Sequence, residues 1–149
     1  LWLFADDSDA WNREAATDFP RYLRDLDKEG LLKYASTVVV GLELNEYYSA
    51  AQVAALVQAT RAVYQGTIGT HETSGRAQFA GLADICFYQV SPGRTAAQIK
   101  AEAAKIVAAT GKPVNFFELD RHENRELAEA ALDGGAFGVG NWLVPPKHK

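Results

Sequence analysis

An Asn-Glu pair, Asn45-Glu46, follows the most strongly β-branched run of the chain, Thr37 to Leu44 (TVVVGLEL). A second acid, Glu118, lies near the end of another apolar run, Pro113 to Leu119 (PVNFFEL). Two carboxylates across one pocket suit the cleavage of a glycosidic bond. One, protonated, donates to the leaving oxygen. The other, ionised, attacks the anomeric carbon or activates water. Repulsion between them raises one pKa, which keeps the acid protonated near neutrality. Tyr47, Tyr48, Tyr88 and Trp142 would offer faces on which sugar rings stack. Glu43 is a rival to Glu46, deeper in the same run and on the other face, so at most one of the two points straight inward without a bulge.

The elements that must position these residues alternate along the chain. Strands are expected at Trp2–Ala5, Thr37–Leu44, Gly66–Thr70, Asp84–Val90, Pro113–Leu119 and Ala136–Trp142. Between them lie amphipathic helices at about 18–34, 49–64, 95–110 and 123–132, and a short one around Arg76 to Leu82. Ser49 with Gln52, and Thr95 with Gln98, are spaced as capping boxes. Gly30 is expected to end or interrupt its helix, and Gly111 to stop its own. Strict alternation implies a parallel sheet with right-handed crossovers. Two architectures fit: an incomplete (β/α)8 barrel holding strands three to eight, or an open doubly wound sheet. The phosphate-binding glycine signatures of the latter are absent, and Gly134 to Gly140 reads as tight packing.

The polar residues favour the barrel, whose active site lies at the carboxyl ends of its strands. Those ends read Asp6-Asp7, Glu43 to Tyr48, His71-Glu72, Tyr88-Gln89, Glu118 to Arg121 and Asn141-Trp142. Glu46 and Glu118 end strands three apart, which face each other across the mouth of a closed eight-stranded barrel.

Composition sets the outer limits. The chain has 149 residues, 48% hydrophobic and 23% charged, which fits one folded domain. Fifteen Lys plus Arg against nineteen Asp plus Glu leave a net charge of −4, and no basic cluster suggests nucleic acid. No apolar run approaches the roughly 20 residues that span a bilayer. The single cysteine, Cys86, is expected to pack as a small hydrophobe. Asp6 and Asp7 with His71 have no recognisable metal-ligand spacing, so no metal or other cofactor is expected.

These residues together resemble the C-terminal three-quarters of a clan A glycoside hydrolase, a group of retaining (β/α)8 enzymes. The resemblance rests on Asn45-Glu46, on Glu118 three strands later, on His71 and Trp142 in order and spacing, and more loosely on Tyr88. It implies Glu46 as acid/base and Glu118 as nucleophile. It implies Asn45, Tyr47, His71, Tyr88 and Trp142 as substrate-binding residues, a polysaccharide or oligosaccharide as substrate, and an extracellular place of action. Two barrel strands are missing upstream, together with an Arg that many members hold near the nucleophile. Tyr47 stands where a Pro often follows the Asn-Glu pair. The chain thus reads as truncated, its barrel completed by further segments or a partner subunit. The alternatives are a non-catalytic carbohydrate-binding or structural barrel module, and an open sheet with an unrelated small-molecule role.

Overall fold

The computed structural model describes residues 19, 21–73, 77–119 and 124–140. The expected first strand with Asp6 and Asp7, the Asp18 cap, and Trp142 lie outside these residues. In chain order the elements are helix α1 (residues 21–28), β1 (Thr37–Val39), α2 (Leu44–Tyr47), α3 (Ala50–Arg61), β2 (Thr67–Glu72), β3 (Ile85–Gln89), α4 (Ala96–Thr110), β4 (Val114–Phe117), α5 (Arg125–Asp133) and β5 (Gly138–Val139). Short 3-10 turns occupy Leu32–Tyr34 and Ala80–Leu82.

The five strands form one sheet in the order β1-β2-β3-β4-β5, with every pairing parallel. Each strand lies beside its neighbours in sequence, and the order never reverses. A doubly wound sheet needs a reversal, so that alternative is corrected among the described strands. The sheet and its helices are consistent with part of a TIM-barrel-like fold.

Strand side chains alternate between two faces. One face carries Val38, Val40, Ile68, Cys86, Tyr88, Val114 and Phe116, all buried. It meets the helices in two adjoining cores. The first gathers Phe19, Leu23, Val53 and Leu56 onto the β1–β2 half. The second gathers Ile99, Ala103, Ile106 and Ala131 onto the β3–β4 half. Both capping boxes form: the Ser49 N–H donates to Gln52 Oε1 at 2.8 Å, and the Thr95 N–H donates to Gln98 Oε1 at 2.9 Å. Each such cap stabilises its helix by about 1 kcal/mol. Gly111, at φ 60°, ends α4 in the left-handed conformation that glycine adopts freely.

The other face carries Gly69, His71, Phe87, Gln89, Asn115, Phe117 and Gly138, aligned by the parallel register. Large side chains here lie across glycines of the neighbouring strand. A Cβ on Gly69 would stand 2.8 Å from the Phe87 ring, and one on Gly138 2.8 Å from Asn115 Nδ2. Side chains on this face lean together across strands. His71 and Phe117 come from strands two apart, about 9.5 Å in a flat sheet, yet their ring centroids are 5.8 Å apart.

Glu72 is fully buried on the helix-side face. Its carboxylate accepts the Phe79 backbone N–H at 3.0–3.1 Å and the Cys86 thiol at 3.7 Å. It thereby ties the chain entering the Ala80–Leu82 turn to the sheet. Burial raises the Glu72 pKa above its ordinary value, and the Phe79, Gln78 and Ala80 amides partly offset that. The folded state therefore holds this proton more tightly than the unfolded chain. The stability it contributes is full below the ordinary glutamate pKa of 4.5 and is lost as pH rises through the folded value. Glu72→Ala, which strands the amides of the turn, is expected to destabilise the fold by about 3 kcal/mol. Glu72→Gln keeps an acceptor, costs less, and removes this fall in stability with rising pH. Urea titrations from pH 4 upward check both.

Candidate active site

The carboxyl ends of the strands form one rim, and two glutamates there adopt an unusual backbone. Glu43 follows β1 with φ 49° and ψ 42°, and Glu118 follows β4 with φ 52°. They are the non-glycine residues with positive φ among the described residues. Left-handed backbone costs an L-residue about 1–2 kcal/mol, and such residues persist where their surroundings fix them.

The surroundings of Glu43 are explicit. Its backbone N–H donates to Nδ1 of His71 at 2.9 Å. The next residue, Leu44, is fully buried in the first core. Asn45 then clamps the end of β2: its Nδ2 donates to Thr73 Oγ1 at 2.9 Å, and its Oδ1 accepts the Thr73 N–H at 2.7 Å. Strand β1 therefore ends at Val39, and Leu44–Tyr47 is a helical turn instead of the continuation of a strand.

His71 has no exposed surface. Because Nδ1 accepts a hydrogen bond, the neutral ring carries its proton on Nε2. Burial lowers its pKa from 6.5 to about 4. The ring meets Phe117 edge-on, with an interplanar angle of 88°. Phe117 directly precedes Glu118. Glu118 is half-buried, and burial raises its pKa above the ordinary 4.5.

A cleft of about 550 Å³ opens beside Glu118, between the loops that follow β3 and β4. Gln89, Arg94, Asn124 and Glu126 also line it. Gln89 lies on the same face as Phe117 and in register with it. Its Oε1 is shielded from solvent and has no hydrogen-bond partner among the described residues.

The residues singled out from sequence are thus divided. Glu118, His71, Glu43 and Asn45 come to one rim. Both ends of the Asn45 amide are engaged by Thr73. Glu46 is exposed on α2, and Tyr47 beside it is half-buried. Tyr88 is not brought to this group. It belongs to the helix-side face, where it packs on Phe116 and its hydroxyl donates to Glu102 of α4 at 2.6 Å. Gln89 stands at a strand end in the sequence, but nothing in its neighbourhood marks it as cleft-lining. Among the described residues no cluster of His, Cys, Asp and Glu could hold a metal ion, and no helix is long and apolar enough to cross a membrane.

No protein-family model and no curated protein sequence matches the chain. A solved structure is similar in fold: a GH113 β-1,4-mannanase, determined as a complex. It superposes with a TM-score of 0.56 at 16% identity, over 90% of this chain and 53% of that one. The chain therefore spans about half the length of the mannanase. The likeness is one of fold, shared by an α/β unit with a parallel sheet.

Two stability tests follow from the site. His71 is harder to protonate folded than unfolded. Its contribution is full above pH 6.5 and is lost as pH falls towards about 4. The stability margin of wild type over His71→Asn is expected to shrink by on the order of 3 kcal/mol across that window, as read by urea unfolding. Gln89→Leu removes a buried acceptor that lacks a donor, and is expected to raise stability by up to about 1 kcal/mol, as read by thermal unfolding.

Proposed function

We propose that the chain is part of a retaining glycoside hydrolase acting on a β-1,4-linked polysaccharide such as mannan, with Glu43 and Glu118 as the reacting pair. The observation that carries the reading is the pair of left-handed glutamates at the strand ends, bridged by His71 and Phe117. The fold shared with a β-1,4-mannanase supports the substrate class. Glu43 takes the acid/base place that the Asn-Glu dipeptide suggested for Glu46. It is partly buried at the rim and held by its own amide, whereas Glu46 is exposed on the helical turn beyond.

In this mechanism Glu43, protonated, gives its proton to the leaving oxygen while the Glu118 carboxylate attacks the anomeric carbon. A glycosyl ester of Glu118 forms. Glu43, now ionised, takes a proton from water, and that water breaks the ester with net retention. The cleft beside Glu118 receives a sugar ring, with Gln89, Arg94 and Asn124 within reach of its hydroxyls. Tyr47, half-buried beyond Glu43, offers a stacking face to the sugar. Strands outside β1–β5, from further chain segments or a partner subunit, complete the barrel.

The full-length protein is expected to release reducing sugar from β-1,4-mannan, with the first-formed anomer retained by proton NMR. Glu43→Gln and Glu118→Gln should each lower kcat by about 10³-fold or more, while Glu46→Gln changes it by less than about tenfold. If both variants keep a hundredth of the activity, the pair is misassigned. Sugar binding without turnover in the full-length protein would leave the non-catalytic module. Because Glu118 ionises above the ordinary carboxylate range, activity should rise with pH through an acid limb lying above pH 4.5.

A further inference from the structure

We infer that His71 is the positioning residue of this site. Its imidazole fixes the backbone of Glu43 through a hydrogen bond, and its ring packs against Phe117, the residue before Glu118. The inference rests on the reading of Glu43 and Glu118 as the reacting pair, and it gives His71 a task other than touching sugar.

The geometry has three parts. Glu43 holds a backbone conformation that its side chain disfavours. Its own amide is bonded by His71 Nδ1, and only a ring nitrogen without a proton can accept that bond. Leu44 and Asn45 anchor the turn beyond, in the first core and on Thr73, but they act on the residues after Glu43. On its other side the imidazole lies edge-on to Phe117 at 5.8 Å. One fully buried ring therefore touches the backbone of one glutamate and the neighbour of the other, across the strand that separates β2 from β4. A phenyl ring of similar size would fill the space and still meet Phe117. It could not accept the Glu43 amide, and the carboxylate would lose its fixed approach.

Replacement series and NMR on the full-length protein test this. His71→Phe is expected to lower kcat on mannan by about 10²-fold, the scale of an ångström's misplacement, with KM altered less than about threefold. His71→Asn places an amide oxygen near the former Nδ1 position and should hold kcat within about tenfold of wild type. In wild-type protein, the ¹⁵N spectrum of His71 should show Nδ1 unprotonated and Nε2 carrying the proton. This measurement stands even where His71→Phe fails to fold. A protonated Nδ1 overturns the inference. So does equal damage from the Phe and Asn variants, or a loss confined to KM, which would make His71 a substrate contact. If instead Glu43→Gln and Glu118→Gln stay active, the reading of the pair falls and takes the positioning role with it, whatever His71→Phe does.

Discussion

Two consecutive residues of β2, His71 and Glu72, carry hydrogen bonds on opposite sides of the sheet, and the rim depends on both. Alternation sends the imidazole to the face of Phe87 and Phe117 and the carboxylate to the helix side. The first receives the amide of the loop after β1, and the second receives the amide at the turn after β2. A slip of one residue in the pairing of β2 would exchange them, placing a carboxylate among Phe87 and Phe117 and an imidazole beside Cys86. Register is therefore fixed by polar contacts as well as by apolar burial. Their titrations oppose one another: the imidazole favours the fold as protons leave, and the carboxylate favours it as protons bind.

The two faces of the sheet differ in what they hold. Helices α3, α4 and α5 pack onto side chains such as Ile68, Tyr88 and Phe116, which fill one side. On the other side, glycines alternate with aromatic and amide residues, so Phe87 and Asn115 of neighbouring strands lie over Gly69 and Gly138. The helices approach one another by the same device. At Gly134 an added Cβ would stand 2.5 Å from the Lys100 carbonyl oxygen, where α5 ends against α4. On the side of Gly69 and Gly138, His71 of β2 and Phe117 of β4 meet across the strand between them.

Much of this frame is legible in the sequence. The apolar runs mark β1 to β4, and the two capping boxes mark the starts of α3 and α4 within a residue, because local side-chain chemistry determines both. The end of β1 is not legible. Thr37 to Leu44 reads as one strand, yet the chain turns at Gly41 to Glu43, because Leu44 is drawn into the core and His71 captures an amide from a distant part of the chain. That turn places Glu46 on an exposed helical turn instead of a strand end. Tyr88 is illegible for another reason. In a strand apolar on both faces, alternation gives the parity but not which face looks inward. The Glu102 that takes its hydroxyl lies on a helix that the strand's own residues do not reveal.

The single thiol has a consequence of its own. Cys86 is fully buried in the second core, and its sulfur touches a carboxylate that also ties the edge of the first core to the sheet. Burial, together with the nearby negative charge of Glu72, holds the thiol protonated and therefore unreactive. It becomes nucleophilic only when the core around it opens enough to admit water. The rate at which a thiol reagent consumes Cys86 therefore counts openings of the second core.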